Sequence, residues 1–165
     1  MDHLFTPWRY RYITGQDREE GKRGECVFCA AAASSDDEKV FIVHRAQRNF
    51  IILNRLPYTT GHVMVTPYAH VATLEETPEE SLTEMVLLAR RCEKVLRAVY
   101  APDGLNIGLN IGKSAGAGVA GHIHLHALPR WTGDVNFMTA VAETRVLPED
   151  LSVTWQRLRA AFKWD

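Results

Sequence analysis

Hydrophobic positions along the chain follow two different spacings, and the switch between them marks out the elements. Three short stretches, "KVFIVH" (39–44), "NFIILN" (49–54) and "GHVMVTP" (61–67), concentrate branched and aromatic residues between turn-rich segments such as "RLPYTTG". Such side chains fit a pleated, half-buried surface, so these stretches predict consecutive strands in an antiparallel meander. In "TPEESLTEMVLLARRCEKVLRAVY" (77–100) the period lengthens. Leu82, Met85, Val86, Ala89, Cys92, Val95, Leu96 and Val99 recur at helical spacing; Thr77 and Glu80 make a capping box, and Pro78 suits the first helical position. One long helix follows, with Cys92 on its apolar stripe as a packed thiol.

Alternation returns in "GLNIGLNIG" (104–112), where Leu105, Ile107, Leu109 and Ile111 face one way and Asn106, Gly108, Asn110 and Gly112 the other. A glycine-rich loop, "GKSAGAGVAG" (112–121), leads into "GHIHLHALPRW" (121–131), and a C-terminal helix is predicted from Pro148 through Phe162. "AASSDDE" (32–38) reads as a solvated loop. Because the strands arrive in a block instead of alternating with helices, the fold class is α+β: an antiparallel sheet with one long helix and a C-terminal helix. Residues 1–25 read as an N-terminal extension, whose Phe5, Trp8, Tyr10 and Tyr12 can pack on the body or a partner subunit, and 26–165 as the domain proper.

The histidine run carries the chemistry. In a strand, His122, His124 and His126 share one side while Ile123, Leu125 and Ala127 bury on the other. At about 3.3 Å of rise per residue the outer two lie about 13 Å apart, so one metal ion cannot hold all three. The preceding loop has four glycines, so its backbone N–H groups can approach a ligand and form an anion-binding concavity around Gly116 and Gly118. A neutral imidazole is a competent nucleophile toward phosphorus when surrounding donors hold the phosphoryl oxygens, and chemistry on a phosphate is the inference.

Composition narrows the setting. With 165 residues, 46% of them apolar, the chain can bury one core, and a net charge of −1 gives no footprint for a nucleic acid or an anionic membrane. No apolar run approaches the roughly 20 residues of a membrane span, and the aromatic, basic N-terminus is unlike a secretory signal, so a cytoplasmic location is expected. Three cysteines, two in "CVFC", do not suggest a disulfide framework. A C-x-x-C pair is open to three readings: a redox pair, a turn with incidental thiols, or half of a tetrahedral zinc site.

The heptad "HIHLHAL" (122–128) resembles the motif of the histidine triad (HIT) family of nucleotidyl hydrolases and transferases, and "ILNRLPYTTGHVMVTPYAHVATLEE" (52–76) is similar to that family's earlier strand and turn. The resemblance implies an α+β domain, a homodimer with a shared sheet, and cleavage of a nucleoside phosphate through a covalent nucleotidyl-histidine. It implies that His124 is the nucleophile, that His126 contacts the phosphate in transfer, and that His62 supports the site. Asn54 matches a ribose-binding position, and Asn110 a polar residue beside the phosphates. In one branch of the family an N-terminal C-x-x-C joins two histidines in a structural zinc site; the matching positions are Cys26, Cys29, His70 and His122. His3 and His44 then read as surface residues.

"PRWTGDVNFM" (129–138), with "GLNIGKSAG", is similar to bacterial diadenosine tetraphosphate phosphorylases, which use inorganic phosphate as acceptor. Where the fragile-histidine-triad hydrolases carry a glutamine, four residues before the first triad histidine, this chain has Gly118, which leaves room for phosphate instead of a held water. Lys113, Ser114 or Arg130 could meet that anion. A purine nucleoside phosphoramidase is the rival within the fold. A nucleotide- or zinc-binding interaction module with little turnover is the rival outside it.

Overall fold

A computed structural model describes residues 26–134 and 148–163. The N-terminal extension with His3, the last residues of "PRWTGDVNFM" and Trp164 lie outside the described residues. The three branched stretches form the expected meander: β1 (Ile42–Arg45), β2 (Asn49–Leu53) and β3 (Val63–Pro67). β2 and β3 pair in unbroken register from Asn49↔Pro67 to Leu53↔Val63, while the β1–β2 ladder is interrupted between Ile42 and His44. The long helix, α3 (Glu79–Tyr100), crosses to the far edge, where β4 (Gly104–Leu109) turns back through the glycine-rich loop into β5 (Leu125–Arg130). β5 inserts between β3 and β4, antiparallel to both, and the sheet order is β1-β2-β3-β5-β4. The α+β architecture is as expected.

Two features ahead of the sheet were not foreseen. "CVFC" opens a short helix, α1 (Val27–Ala33), and another, α2 (Asp37–Val40), runs from the end of the "solvated loop" into "KVFIVH", whose first two residues are helical and not strand. The Asp36 side chain caps α2 by accepting the Lys39 N–H at 3.1 Å. Arg45 holds the end of α1 from β1, donating to the Ala32 and Ser34 carbonyls at 2.9 and 2.8 Å.

The pleat sorts the sheet into two faces. Val43, Ile51, Leu53, Val63, Val65, Leu125 and Ala127 pack with Ile123 against α3 and the C-terminal helix, α4 (Leu151–Phe162). Ile42, Phe50, Ile52 and Met64 face the other way, against Phe28 and Ala31 of α1. Two details of α3 differ from expectation. Its buried stripe takes in Ser81 and Leu88, whereas Val86 is 65% exposed. Its N-cap is Pro78, whose carbonyl receives the first helical N–H groups, while Thr77 donates its hydroxyl to the Thr73 carbonyl at 2.7 Å instead of capping. Cys92 is fully buried, as expected, and burial pushes its thiol up to about 12. Among the described residues no helix is long and apolar enough to cross a membrane.

The two sheet edges differ. On β1, α4 supplies side-chain donors to backbone oxygens: Trp155 Nε1 to Ile42 and Arg159 to Val43, both at 2.9 Å. His44, read as a surface residue, is half-buried here, stacked on Phe162 and 3.1 Å from Arg91. On β4 no described element covers the outer edge, and Ile107 and Ile111 are 44% and 42% exposed. Trp155→Phe keeps most of the ring but leaves the Ile42 carbonyl without its donor, which should cost about 1–2 kcal/mol in denaturant unfolding. An unchanged unfolding midpoint would remove this hydrogen bond from the account of how α4 is anchored.

Candidate active site and metal centre

Three elements converge on the face that carries α1. β5 carries His126, and the segment leading into it carries His124 and, at a bend, His122, so the strand begins three residues later than the histidine spacing implied; β3 and the turn before it bring His62; the segment after β3 brings His70. The alternation is as the sequence implied, with Ile123, Leu125 and Ala127 in the core on the opposite side. The imidazole face, however, is covered. His122, His124 and His126 are 1%, 4% and 8% exposed, and Phe28 packs against the first two at 5.3 and 4.9 Å between ring centroids. Gly108 pairs with His126 across the ladder, and a Cβ there would meet nothing within 4 Å, so the β4 side of the site stays open.

Hydrogen-bond partners assign the proton on each ring, because backbone N–H groups only donate and carbonyls only accept. The Tyr58 N–H donates to His62 Nδ1 at 3.1 Å, so the His62 proton is on Nε2, which reaches His126 Nδ1 at 2.9 Å. His126 therefore carries its own proton on Nε2, a donor directed away from His62. His124 does the reverse: Nδ1–H donates to the His122 carbonyl at 2.8 Å, which leaves the lone pair on Nε2. His122 donates Nε2–H to the Pro67 carbonyl at 2.9 Å and keeps its lone pair on Nδ1. A ring with its lone pair on Nε2 thus lies next to a ring with its proton there, with centroids 4.9 Å apart.

Burial is the largest cause of the lowered pKa of both His124 and His126. The His122 carbonyl partly opposes it at His124; the neighbouring charge of His124 adds to it at His126, which falls to about 4. Both rings are therefore neutral at pH 7.

The His122 lone pair faces sulfur. Its Nδ1 is 3.3 Å from Cys26 Sγ and 3.6 Å from Cys29 Sγ, and His70 Nδ1 is 3.3 Å from Cys29 Sγ. All four donor atoms lie within 4.8 Å of one another. A tetrahedron with metal–sulfur bonds near 2.3 Å and metal–nitrogen bonds near 2.0–2.1 Å has sulfur–nitrogen edges of about 3.5 Å, so these residues fit a metal ion. The four predicted ligands do come together.

Other predicted residues divide. Asn54 is tied into the turn: Oδ1 accepts the Leu56 N–H at 3.0 Å and Nδ2 lies 3.3 Å from His62 Nδ1. Asn110 is half-buried at the end of β4. Gly116 closes a 3₁₀ turn over Lys113–Ala115 at φ +92°, where a side chain would be strained; Gly118, Lys113 and Ser114 are exposed. Arg130 is committed elsewhere, paired through two nitrogens with Asp134 and bonded to Asn106 Oδ1 at 2.8 Å. Two participants were missed. Phe28 was signalled only as the apolar residue inside "CVFC", and Tyr58 acts through a backbone N–H and a ring 4.8 Å from His62, which no residue pattern announces.

Comparison with known proteins agrees with this geometry. Residues 36–133 match the HIT domain family, and the chain belongs to it. Over 168 aligned residues, 99% of this chain and 85% of the relative, it is 34% identical to an AP-4-A phosphorylase of Mycobacterium tuberculosis. A crystal structure of a zinc-bound histidine triad family protein from Mycobacterium smegmatis is similar at TM-score 0.68 and 32% identity, covering 84% of this chain and 94% of that one. A hypothetical histidine triad nucleotide-binding protein from Sulfolobus tokodaii is similar at TM-score 0.67 and 25% identity, with 84% and 92% covered.

The lowered His126 pKa links stability to pH. The unfolded ring binds its proton near 6.5 and the folded ring only near 4, so its contribution is complete above 6.5 and is lost as pH falls toward 4. Denaturant unfolding at pH 7.5, 5 and 4 should show the native chain losing on the order of 2–3 kcal/mol more than His126→Gln over that range. Parallel declines in the two proteins would rule out His126 as the linked group.

Proposed function

We propose that this chain is a nucleotidyltransferase that splits dinucleoside polyphosphates such as diadenosine tetraphosphate, with inorganic phosphate as acceptor. The observation that carries the reading is the lone pair on His124 Nε2, fixed by the His122 carbonyl and flanked by the protonated Nε2 of His126. In the first step His124 Nε2 attacks an α-phosphorus; the P–N bond forms and the P–O bond to the departing nucleoside polyphosphate breaks. His126 Nε2–H donates to the phosphoryl or leaving oxygen as charge develops. The positive imidazole so formed keeps its Nδ1–H on the His122 carbonyl. A phosphate oxygen then attacks the same phosphorus, the P–N bond breaks, and His124 returns neutral. Diadenosine tetraphosphate would give ATP first and ADP second.

Asn54, Asn110, Gly116 and Gly118 are assigned to nucleotide contact. Asn54 has a second lone pair on Oδ1 for a ribose hydroxyl, and Gly116, without a side chain at φ +92°, lets a phosphate approach the turn closely. Its name makes the Mycobacterium tuberculosis relative a phosphorylase of the same substrate class, and Gly118 in place of a glutamine favours phosphate over water. Cys26, Cys29, His70 and His122 are assigned to structural zinc, which when bound supplies a cross-link between α1 and the catalytic strand. The uncovered β4 edge with exposed Ile107 and Ile111 supports a homodimer joined through that edge. Residues 1–25 are assigned to an extension of a domain at 26–165, and the half-exposed thiols suit the cytoplasm.

Incubation with diadenosine tetraphosphate, followed by chromatography, tests the reaction. ADP and ATP appearing only with phosphate support it; AMP with ATP in its absence would make the protein a hydrolase. No product from this dinucleotide, or product only from adenosine phosphoramidate, would overturn the assignment. His124→Ala should lower turnover by a factor on the order of 10⁴ while nucleotide affinity changes little. Native mass spectrometry should return a dimer with about one zinc per chain; a metal-free monomer that stays so with added zinc would refute both assignments.

A further inference from the structure

We propose that Cys26 and Cys29 form a redox-responsive clamp on the nucleophile, acting through His122. The proposal rests on the zinc and nucleotidyl-transfer reading above. One residue serves both centres: the His122 ring faces the two sulfurs at 3.3 and 3.6 Å, while its carbonyl holds His124 Nδ1–H at 2.8 Å. A second contact runs in parallel. Phe28, between the two cysteines in sequence, packs its ring against both His122 and His124. Any rearrangement of the first turn of α1 is therefore passed to the nucleophile by a hydrogen bond and by packing.

The sulfurs are placed to react with each other. Cys26 is the N-cap of α1 and Cys29 lies one turn on; both are half-exposed and their sulfurs lie within 4.8 Å. Cys92, in contrast, is sealed in the core. With a peroxide as oxidant, one thiolate attacks an oxygen, the O–O bond breaks and hydroxide leaves, giving a sulfenic acid. The second thiolate attacks that sulfur, the S–S bond forms and hydroxide departs again; the hydroxides take protons from solvent as water. Two electrons pass from the sulfurs to the peroxide. The joined sulfurs are no longer anionic donors, so His122 Nδ1 loses its sulfur partners while Nε2–H stays on the Pro67 carbonyl, and the ring and the carbonyl beside it shift.

The zinc-loaded full chain should be treated with hydrogen peroxide and then with dithiothreitol plus zinc. Four readouts apply: intact mass, zinc release to a chromogenic chelator, imidazole ¹⁵N–¹H correlations of His124, and turnover of diadenosine tetraphosphate. Oxidation should remove two hydrogens, free the bound zinc, shift the His124 correlations and lower kcat by about tenfold or more with little change in KM. Reduction with zinc should restore all four, and Cys26→Ser should show no reversible step. A disulfide that leaves the His124 signals and kcat unchanged would overturn the clamp, as would cysteines that stay reduced while methionines oxidise. If the reduced, zinc-loaded chain turns over no dinucleotide, the functional reading fails by itself, and the His124 spectrum still decides the coupling.

Discussion

The site depends on one constraint: the extended backbone from His122 to Ala127 must be anchored so that neither the pleat nor the register can slip. Ile123, Leu125 and Ala127 supply the anchor by burial under α3 and α4. Hydrogen bonds complete it. The Ile123 N–H is held by the Val71 carbonyl at 2.7 Å, and the Ile123 carbonyl accepts the Thr66 hydroxyl at 2.9 Å. A shift by one residue would send all three imidazoles into the core and three apolar side chains to the α1 face. The apolar half of the heptad is therefore as necessary to the chemistry as the histidines.

Once the backbone is fixed, three identical side chains acquire three different roles from their surroundings. His122 turns a lone pair toward sulfur, His124 keeps its lone pair on Nε2, and His126 carries its proton on the nitrogen away from His62. None of these states is intrinsic to histidine. Each is imposed by a carbonyl or an amide in a neighbouring segment, namely Pro67, His122 itself, and Tyr58 acting through His62. Burial then keeps His124 and His126 neutral where exposed rings would begin to titrate.

Much of this was legible in the sequence, and the limits of legibility have physical causes. The meander, the long helix and the two-faced histidine strand follow from spacing alone, because the pleat and the α-helix impose periods that burial must respect. The four positions that could hold a metal required the family resemblance, since Cys29 and His122 are 93 residues apart and no local pattern joins them. α1 was missed because its stability is tertiary: Phe28 is buried against the sheet, and Arg45 from β1 holds the carbonyls at its end. The pairing of Arg130 was not legible because Asn106 and Asp134 reach it only in the folded sheet. The Val86–Leu88 exchange in α3 has a similar origin, for α3 turns Leu88 into the core and leaves Val86 on its outer side.

The sealing of β1 by Trp155 and Arg159 has a consequence for aggregation. A sheet with two sticky margins can add copies without limit and grow into a filament. With one margin plugged by side-chain donors from α4, strand-to-strand addition can proceed from the other margin only, and the first copy to arrive uses it up. The C-terminal helix thus acts as a terminator at the β1 margin.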